Sequence, residues 1–323
     1  MIQVYSLDGG KVIRSDPGTG LALPEGAVWI DLISPDDDTI AAVERQLGID
    51  LPSREEMREI ETSSRVREEE EGLYLTATVI SKSDTDAPER TAISFILAGR
   101  RLVTLRHAEP APFGTFAAYL LRHPHACASG DLVLIGLLEA IVDRLADILE
   151  RAGDEVDSLS RRVFLAEDAR PGSLDFHETL RSTGKIGDLL SKARESLATL
   201  ARVFTFLAQA LAESASKERR NRIRTLSLDA QSLSDYLAFL SNKVSFLLEA
   251  TLGMINIEQS NIIKLFSVMA VVFLPPTLVA TIYGMNFHVM PELDWPLGYP
   301  LALLAMLASA VLPYLFFKWK RWL

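Results

Sequence analysis

Cysteine is almost missing from the 323 residues. Cys127 is alone, so no internal disulfide forms and nothing in the sequence asks for an oxidising compartment. Excess positive charge is missing as well. The chain carries 33 Lys and Arg against 43 Asp and Glu, a net charge of −10, which argues against a nucleic-acid partner because phosphates need a basic surface. There is no Walker-type Gly-rich loop, which argues against an ATP-driven pump, and no serine nucleophile elbow. No enzyme activity and no catalytic cofactor are expected. Met1–Gly10 is neither basic nor a long apolar run, so no cleavable signal peptide is expected. With 48% apolar and 24% charged residues, the chain is neither disordered nor collagen-like.

Charge of either sign disappears in two windows. None of Asp, Glu, Lys or Arg occurs from Leu265 to Pro291, nor from Trp295 to Phe317. A bilayer core of roughly 30 Å needs about 20 helical residues, so both windows read as membrane spans if the first ends near Tyr283. Lys264 precedes the first; Lys318, Lys320 and Arg321 follow the second; the loop Gly284–Asp294 has no Lys or Arg. The positive-inside rule then places both termini in the cytoplasm, and Tyr283, Trp295, Tyr299, Trp319 and Trp322 fall at the interfaces.

The remainder divides by texture. Residues 1–125 read as a cytoplasmic α/β domain with β-prone segments at Ile2–Leu7, Lys11–Arg14, Val28–Leu32, Leu73–Ser81, Ala92–Leu97 and Arg101–Arg106. Asp36–Gln46 and Ser53–Glu61 read as helices with acidic starts, and Pro110 and Pro112 mark a boundary. Residues 126–216 read as a long antiparallel helical hairpin that turns at Glu167–Gly172. One seam is Leu134, Leu138, Ile141, Leu145, Ile148 and Ala152; the other is Leu197, Leu200, Phe204, Leu207 and Leu211. A polar stretch, Glu213–Arg224, follows. Residues 217–283 read as a stalk helix running into the first span, whose membrane part is about 264–283. Then come an outer loop at 284–294, a second span at 295–317 and a basic tail at 318–323. The proline-free stalk of about 60 residues would be a rod of roughly 90 Å, which suggests several copies bundled about an axis.

One face of that rod reads Glu249, Gly253, Asn256, Ser260, Ile263, Ser267, Ala270, Leu274, Thr277 and Thr281. Small and hydroxylated side chains in a membrane either let helices approach closely or line water, and the stripe alone leaves both readings open. Two spans cannot enclose a pore, so a water-lined path needs an oligomer with this helix innermost. Pro275 and Pro276 are expected to end the regular ladder within the span, freeing the carbonyls of Val271 and Val272. His123, His125 and Cys127 have the spacing of a soft-metal site but lack a second cluster, and read as an ordinary polar loop.

The loop between the spans reads Tyr283-Gly284-Met285-Asn286-Phe287, then Met290-Pro291-Glu292-Leu293. Gly-Met-Asn in that place, followed by Met-Pro-Glu-Leu, resembles the CorA family of magnesium and cobalt channels. Ile257-Glu258-Gln259, Phe273-Leu274-Pro275-Pro276-Thr277 and the run Trp29-Ile30-Asp31-Leu32 with Pro35 add to the resemblance.

The resemblance implies a funnel-shaped homopentamer in the cell inner membrane, with Gly284, Met285 and Asn286 as the selectivity filter. Thr277, Ser260 and Glu249 would form polar rings, with Asn256 and Thr281 also lining the pore. Leu274, Phe266 and Ile263 would fall at a hydrophobic constriction. The implied cargo is Mg2+, with Co2+ and Ni2+ as further ions, and Mg2+ also acts as a cytoplasmic ligand that holds the funnel closed. Asp229 and Asp235 are candidates for that regulatory site, and Glu292 and Asp294 for drawing cations to the mouth. Magnesium dehydrates reluctantly, which suits recognition through its bound water by the neutral Asn286 carbonyl. Met285 suits packing better than ligation, since magnesium prefers oxygen. A zinc transporter of the same superfamily and a membrane-anchored scaffold without a pore are the rival readings.

Overall fold

The computed structural model describes residues 1–17, 22–59, 61, 65–85, 87–164, 175–212, 215–286, 288 and 290–320, with only the backbone described at 292 and 293. It forms two compact units, Met1–Leu248 and Glu249–Leu323. The first combines an α/β sheet domain with long helices; the second holds the end of one long helix and a C-terminal helix.

Seven strands make one sheet: β1 (Ile2–Asp8), β2 (Lys11–Ser15), β3 (Ala27–Ile33), β4 (Val66–Glu69), β5 (Gly72–Ser81), β6 (Glu89–Ala98) and β7 (Arg101–Arg106). Their order is β2-β1-β3-β7-β6-β5-β4. Only β3 and β7 pair in parallel, with Asp31 opposite Thr104; every other pair is antiparallel. The central strands are apolar at successive positions because both faces are covered. Along β6 and β7, Phe95 and Leu102 enter one core while Ile96 and Val103 enter the other. The smaller core lies under α1 (Asp37–Leu47), which Asp36 caps by accepting from the Thr39 N–H at 2.9 Å. Gly48 ends α1 at φ 65°, a left-handed conformation that favours glycine.

The larger core is roofed by α2 (Ala111–Leu120), α3 (Gly130–Phe164), α4 (Phe176–Ala210) and the first part of α5 (Lys217–Tyr283). All six α3 seam residues and all five α4 seam residues are buried. Helix α4 grips β5 directly: the Thr78 N–H donates to Thr199 Oγ1 at 3.0 Å, and Ser196 Oγ donates to the Thr78 carbonyl at 2.7 Å. Glu139 of α3 accepts a two-pronged bond from Arg222 of α5, at 2.8 and 2.6 Å. Arg219 pairs with Asp131, and Lys243 with Asp157.

Several expectations are corrected. Ser53–Glu61 is not a helix; among its described residues only Glu56–Arg58 forms a 3-10 turn. Ser53 and Glu56 cap each other, with the Ser53 N–H on Glu56 Oε2 at 2.7 Å and the Glu56 N–H on Ser53 Oγ at 3.2 Å. The turn buries only Met57, too little apolar surface to extend a helix nucleus. Pro110 and Pro112 begin α2 rather than mark a mere boundary, because proline fits a helix's first turn. Within the polar stretch Glu213–Arg224, the basic run Lys217–Arg224 is already part of α5. The proposed turn at Glu167–Gly172 lies outside the described residues.

Candidate functional site

The Trp29–Leu32 run forms the middle of β3, and its polar members meet β7. Asp31 and Arg106 form a bidentate pair, with Nη2 to Oδ2 at 2.8 Å and Nε to Oδ1 at 3.1 Å; their side chains are 2% and 6% exposed. Thr104 Oγ1 donates to Asp31 Oδ1 at 2.7 Å and accepts from Trp29 Nε1 at 2.9 Å. Arg106 also donates to the Ala108 carbonyl at 2.7 Å and lies 4.6 Å over the Phe113 ring. This closed network braces the sheet and offers no free ligand atom on Asp31. Sequence reading missed Thr104 and Arg106, because only the parallel register brings them to Asp31.

The soft-metal reading of the histidine–cysteine run is set aside by its geometry. The His123 ring stacks on Tyr119 at 4.1 Å, whereas the Cys127 side chain is wholly buried in the larger core. Burial pushes the Cys127 thiol up to about 11, away from the thiolate that binds metals.

The acids read as regulatory candidates lie on the first unit's part of α5. Asp229 and Asp235 are both exposed. Asp229 stands near enough to α3 that its charge, with those of Glu139 and Asp147 and after the larger effect of desolvation, holds the Asp143 carboxyl above its ordinary value. Asp143 therefore joins Asp229 in one acidic neighbourhood. No sequence signal had singled out Asp143.

In the second unit, α5 continues through Glu249–Tyr283, and the stripe from Glu249 to Thr281 occupies one side of it. Every stripe residue is exposed in the single chain, Leu274 at 66% and Ile263 at 57%; Phe266, beside the stripe, is 63% exposed. Val268, Val271, Val272, Pro275, Pro276 and Val279, on another side, are half-buried. Three hydroxyls on the stripe turn back onto their own helix. Ser267 Oγ donates to the Ile263 carbonyl at 2.8 Å, Thr277 Oγ1 to Phe273 at 2.7 Å, and Thr281 Oγ1 to Thr277 at 2.7 Å. A hydroxyl whose hydrogen is thus spent keeps lone pairs for an incoming donor. Pro275 and Pro276 lie inside α5, which runs on to Tyr283. They remove two donors, and the turn is held in part by the Thr277 hydroxyl.

The outer loop follows directly. The Gly284 N–H still bonds the Ala280 carbonyl at 2.9 Å, and Met285 N–H bonds Ile282 at 3.3 Å. Gly284 is not left-handed, so the turn freedom expected of it is not what the site uses. Instead, a Cβ there would stand 3.2 Å from the Ala280 oxygen, a tight approach. Met285, at 45% exposure, and Asn286 lie on the exposed end of this segment. Pro291–Asp294 forms a 3-10 turn with Asp294 exposed; the Glu292 side chain, Phe287 and Val289 lie outside the described residues. Helix α6 (Gly298–Trp319) closes the unit, starting three residues later than the uncharged window. Both α5 and α6 contain windows long and apolar enough to cross a membrane, and neither window is buried inside the chain.

The family model described as CorA-like Mg2+ transporter protein matches residues 24–321. The chain belongs to the CorA family. It is 36% identical over 329 residues to the magnesium transport protein CorA of Salmonella typhimurium and 35% identical over 325 residues to that of Escherichia coli, covering the whole of each protein. The complete structure of the CorA magnesium transporter from Methanocaldococcus jannaschii superposes with a TM-score of 0.76 at 19% identity, over 98% of this chain and 97% of that one. That structural likeness bears on the fold alone. The CorA fold thus accounts for an α/β sheet domain, long helices and a C-terminal pair of apolar helices in one chain.

Proposed function

We propose that this chain carries Mg2+ across the cell inner membrane, as a homopentamer with α5 innermost and both termini cytoplasmic. The observation that carries the reading is the continuity of the exposed stripe: one side of a single helix presents small and hydroxylated residues from Glu249 to Thr281 and runs into Gly284-Met285-Asn286. A lone chain leaves that side bare, and copies facing one axis would turn it inward. The relatives' shared description supplies the ion.

The chemistry follows from the residue types. Thr277 and Thr281 point hydrogen-bond-accepting oxygens outward once their hydrogens are spent on the helix, and water on a magnesium ion is a donor. Asn286 offers a neutral carbonyl at the mouth. Five such groups recognise the hydrated ion without the tight hold of a carboxylate ring, so weak successive sites at Asn286, Thr277, Ser260, Asn256 and Glu249 permit exit as well as entry. Ile263, Phe266 and Leu274 form the apolar constriction that gates by expelling water. Asp294 and Glu292 raise the cation concentration at the mouth. Cytoplasmic Mg2+ at acids that include Asp229 offsets carboxylate repulsion between copies and favours the closed state; Asp235 is the weaker candidate. An inside-negative potential supplies about 2.3 kcal/mol per charge per 100 mV, about twice that for a dication, so no catalytic step and no ATP are required.

Flux of Mg2+, Co2+, Ni2+ and Zn2+ into liposomes holding the purified chain tests this reading. Mg2+ entry driven by an inside-negative potential, and indifferent to a proton gradient, is expected. Zn2+ entry that follows the proton gradient would support the zinc rival, and no flux of any ion would support a scaffold.

A further inference from the structure

The chain is acidic overall, yet arginine is the commonest residue lining one cavity of the first unit. It has a volume of about 640 Å3 and opens among the 3-10 turn at Glu56–Arg58, strands β5 and β6, and helix α4. Five guanidiniums line it, drawn from separate segments: Arg54 and Arg58, Arg65, Arg90 and Arg202. Its two carboxylates are already engaged, Glu195 with Arg90 and Glu89 with Lys82. Arg65 is 7% exposed, and among the described residues its side chain hydrogen-bonds neutral acceptors, the Glu59 carbonyl at 2.6 Å and Thr78 Oγ1 at 3.1 Å. No carboxylate among the described residues stands within ion-pair distance of it. The side chains of Arg54, Arg58 and Arg202 are exposed and make no hydrogen bond or ion pair among the described residues. The remaining titratable wall group, His107, is held below its ordinary value by burial and by the charges of Arg54 and Arg58, the sign expected of a positive potential.

Burial disfavours the Arg65 charge more than the nearby Glu195 carboxylate favours it, with Arg202 adding to the cost, and an anion entering the cavity would offset that cost. Guanidinium forks match phosphate oxygens with paired hydrogen bonds. The volume lies within the roughly 300–1,000 Å3 of small-molecule sites, and the arginines come from several segments, so a ligand with more than one phosphate uses them best. A long nucleic acid suits neither the concave shape nor the net charge of −10. We propose that this cavity binds the di- or triphosphate group of a small molecule of the nucleotide class. The proposal stands independently of the transport reading.

Calorimetric titration of the full-length, detergent-purified chain tests it, with ATP, inorganic tripolyphosphate, orthophosphate and sulfate, each with and without Mg2+. Both triphosphate ligands should bind at least about tenfold more tightly than orthophosphate or sulfate. ATP binding above tripolyphosphate would place the nucleoside in the rest of the cavity; equal binding would assign the phosphate chain alone. Arg58→Glu with Arg202→Glu, both on exposed positions, should weaken binding by about tenfold or more, and Arg65→Gln should do so separately. Arg161→Glu with Arg181→Glu, the same charge change elsewhere, should leave it unchanged. Sulfate binding equal to triphosphate, affinity untouched by the cavity reversal, or no binding at millimolar ligand would overturn the proposal. So would a change of oligomeric state on reversal without any ligand binding, which would give the cavity to an acidic segment of a second copy.

Discussion

Arg106→Met isolates the value of the buried network on β3 and β7. The substitution preserves most of the side-chain volume but leaves the Asp31 carboxylate, 2% exposed, with Thr104 as its only remaining hydrogen-bond donor among those described. Removing one partner of a buried ion pair costs about 3–5 kcal/mol, because the other charge stays desolvated. Asp31→Leu combined with Arg106→Met removes both charges. Thr104 still accepts from Trp29 and loses only its own acceptor, so the double variant should lie within about 1–2 kcal/mol of the parent. The cycle therefore predicts strong coupling between the two sites. Hydrogen exchange of the full chain in detergent reads it at the amides of β3 and β7. At 1.4 kcal/mol per tenfold, the single variant should exchange about a hundredfold faster or more, and the double variant about thirtyfold faster at most. A single variant that exchanges like the parent would show that the pair does not brace the sheet. A double variant worse than the single would refute the argument that the stranded charge carries the cost.

Other outcomes follow from the same geometry. With its thiol pushed up to about 11 by burial, Cys127 should resist maleimide in the native chain and label fully once the chain unfolds; rapid native labelling would contradict its place in the core. Asp84 is held below its ordinary value by hydrogen bonds from Arg144 and then Arg151, so the tie from the β5–β6 turn to α3 is present above the unfolded carboxylate value, near 4, and is lost as pH falls through the lower folded value. Because Asp84 is exposed the effect is small. Exchange of that turn, corrected for its intrinsic rate, should rise only in acid, and a pH-independent response would refute the assignment. Leu274→Asn should raise Mg2+ leak at high internal Mg2+ by about tenfold or more, read by efflux from loaded liposomes; unchanged closure would argue against an apolar gate.

The sheet and helices were legible to different depths. Strands β5, β6 and β7 announced themselves as runs of β-branched and aromatic residues, and the α3 and α4 seams by their alternating steps of three and four. Strand β4 was hidden, because Val66-Arg67-Glu68-Glu69 is a short charged edge strand and reads as a solvated face. The prolines at 110 and 112 read as a boundary, without showing that a helix starts there. Ser53–Glu61 read as a helix from its acidic start, but Met57 alone could not sustain a helix behind the Ser53–Glu56 cap. Asp31 was singled out by resemblance, while its partners lie 73 and 75 residues away and depend on a parallel register that no local pattern encodes. In the candidate site the stripe was readable because helical spacing alone defines a face. The conformation of Gly284 was not, since it depends on the bonds that close the end of the helix. The arginine cavity drew no attention in the sequence, where Arg54, Arg58, Arg65, Arg90 and Arg202 are scattered among acids.

The central claim concerns the amide at position 286, and flux through Asn286→Ala tests it most directly. Purified variant and parent, matched for oligomeric state by size and mass, would be placed in liposomes under an inside-negative potential and supplied with external Mg2+. The account predicts assembled particles that no longer admit Mg2+ at a measurable rate. Parental flux and parental ion preference in that variant would contradict it.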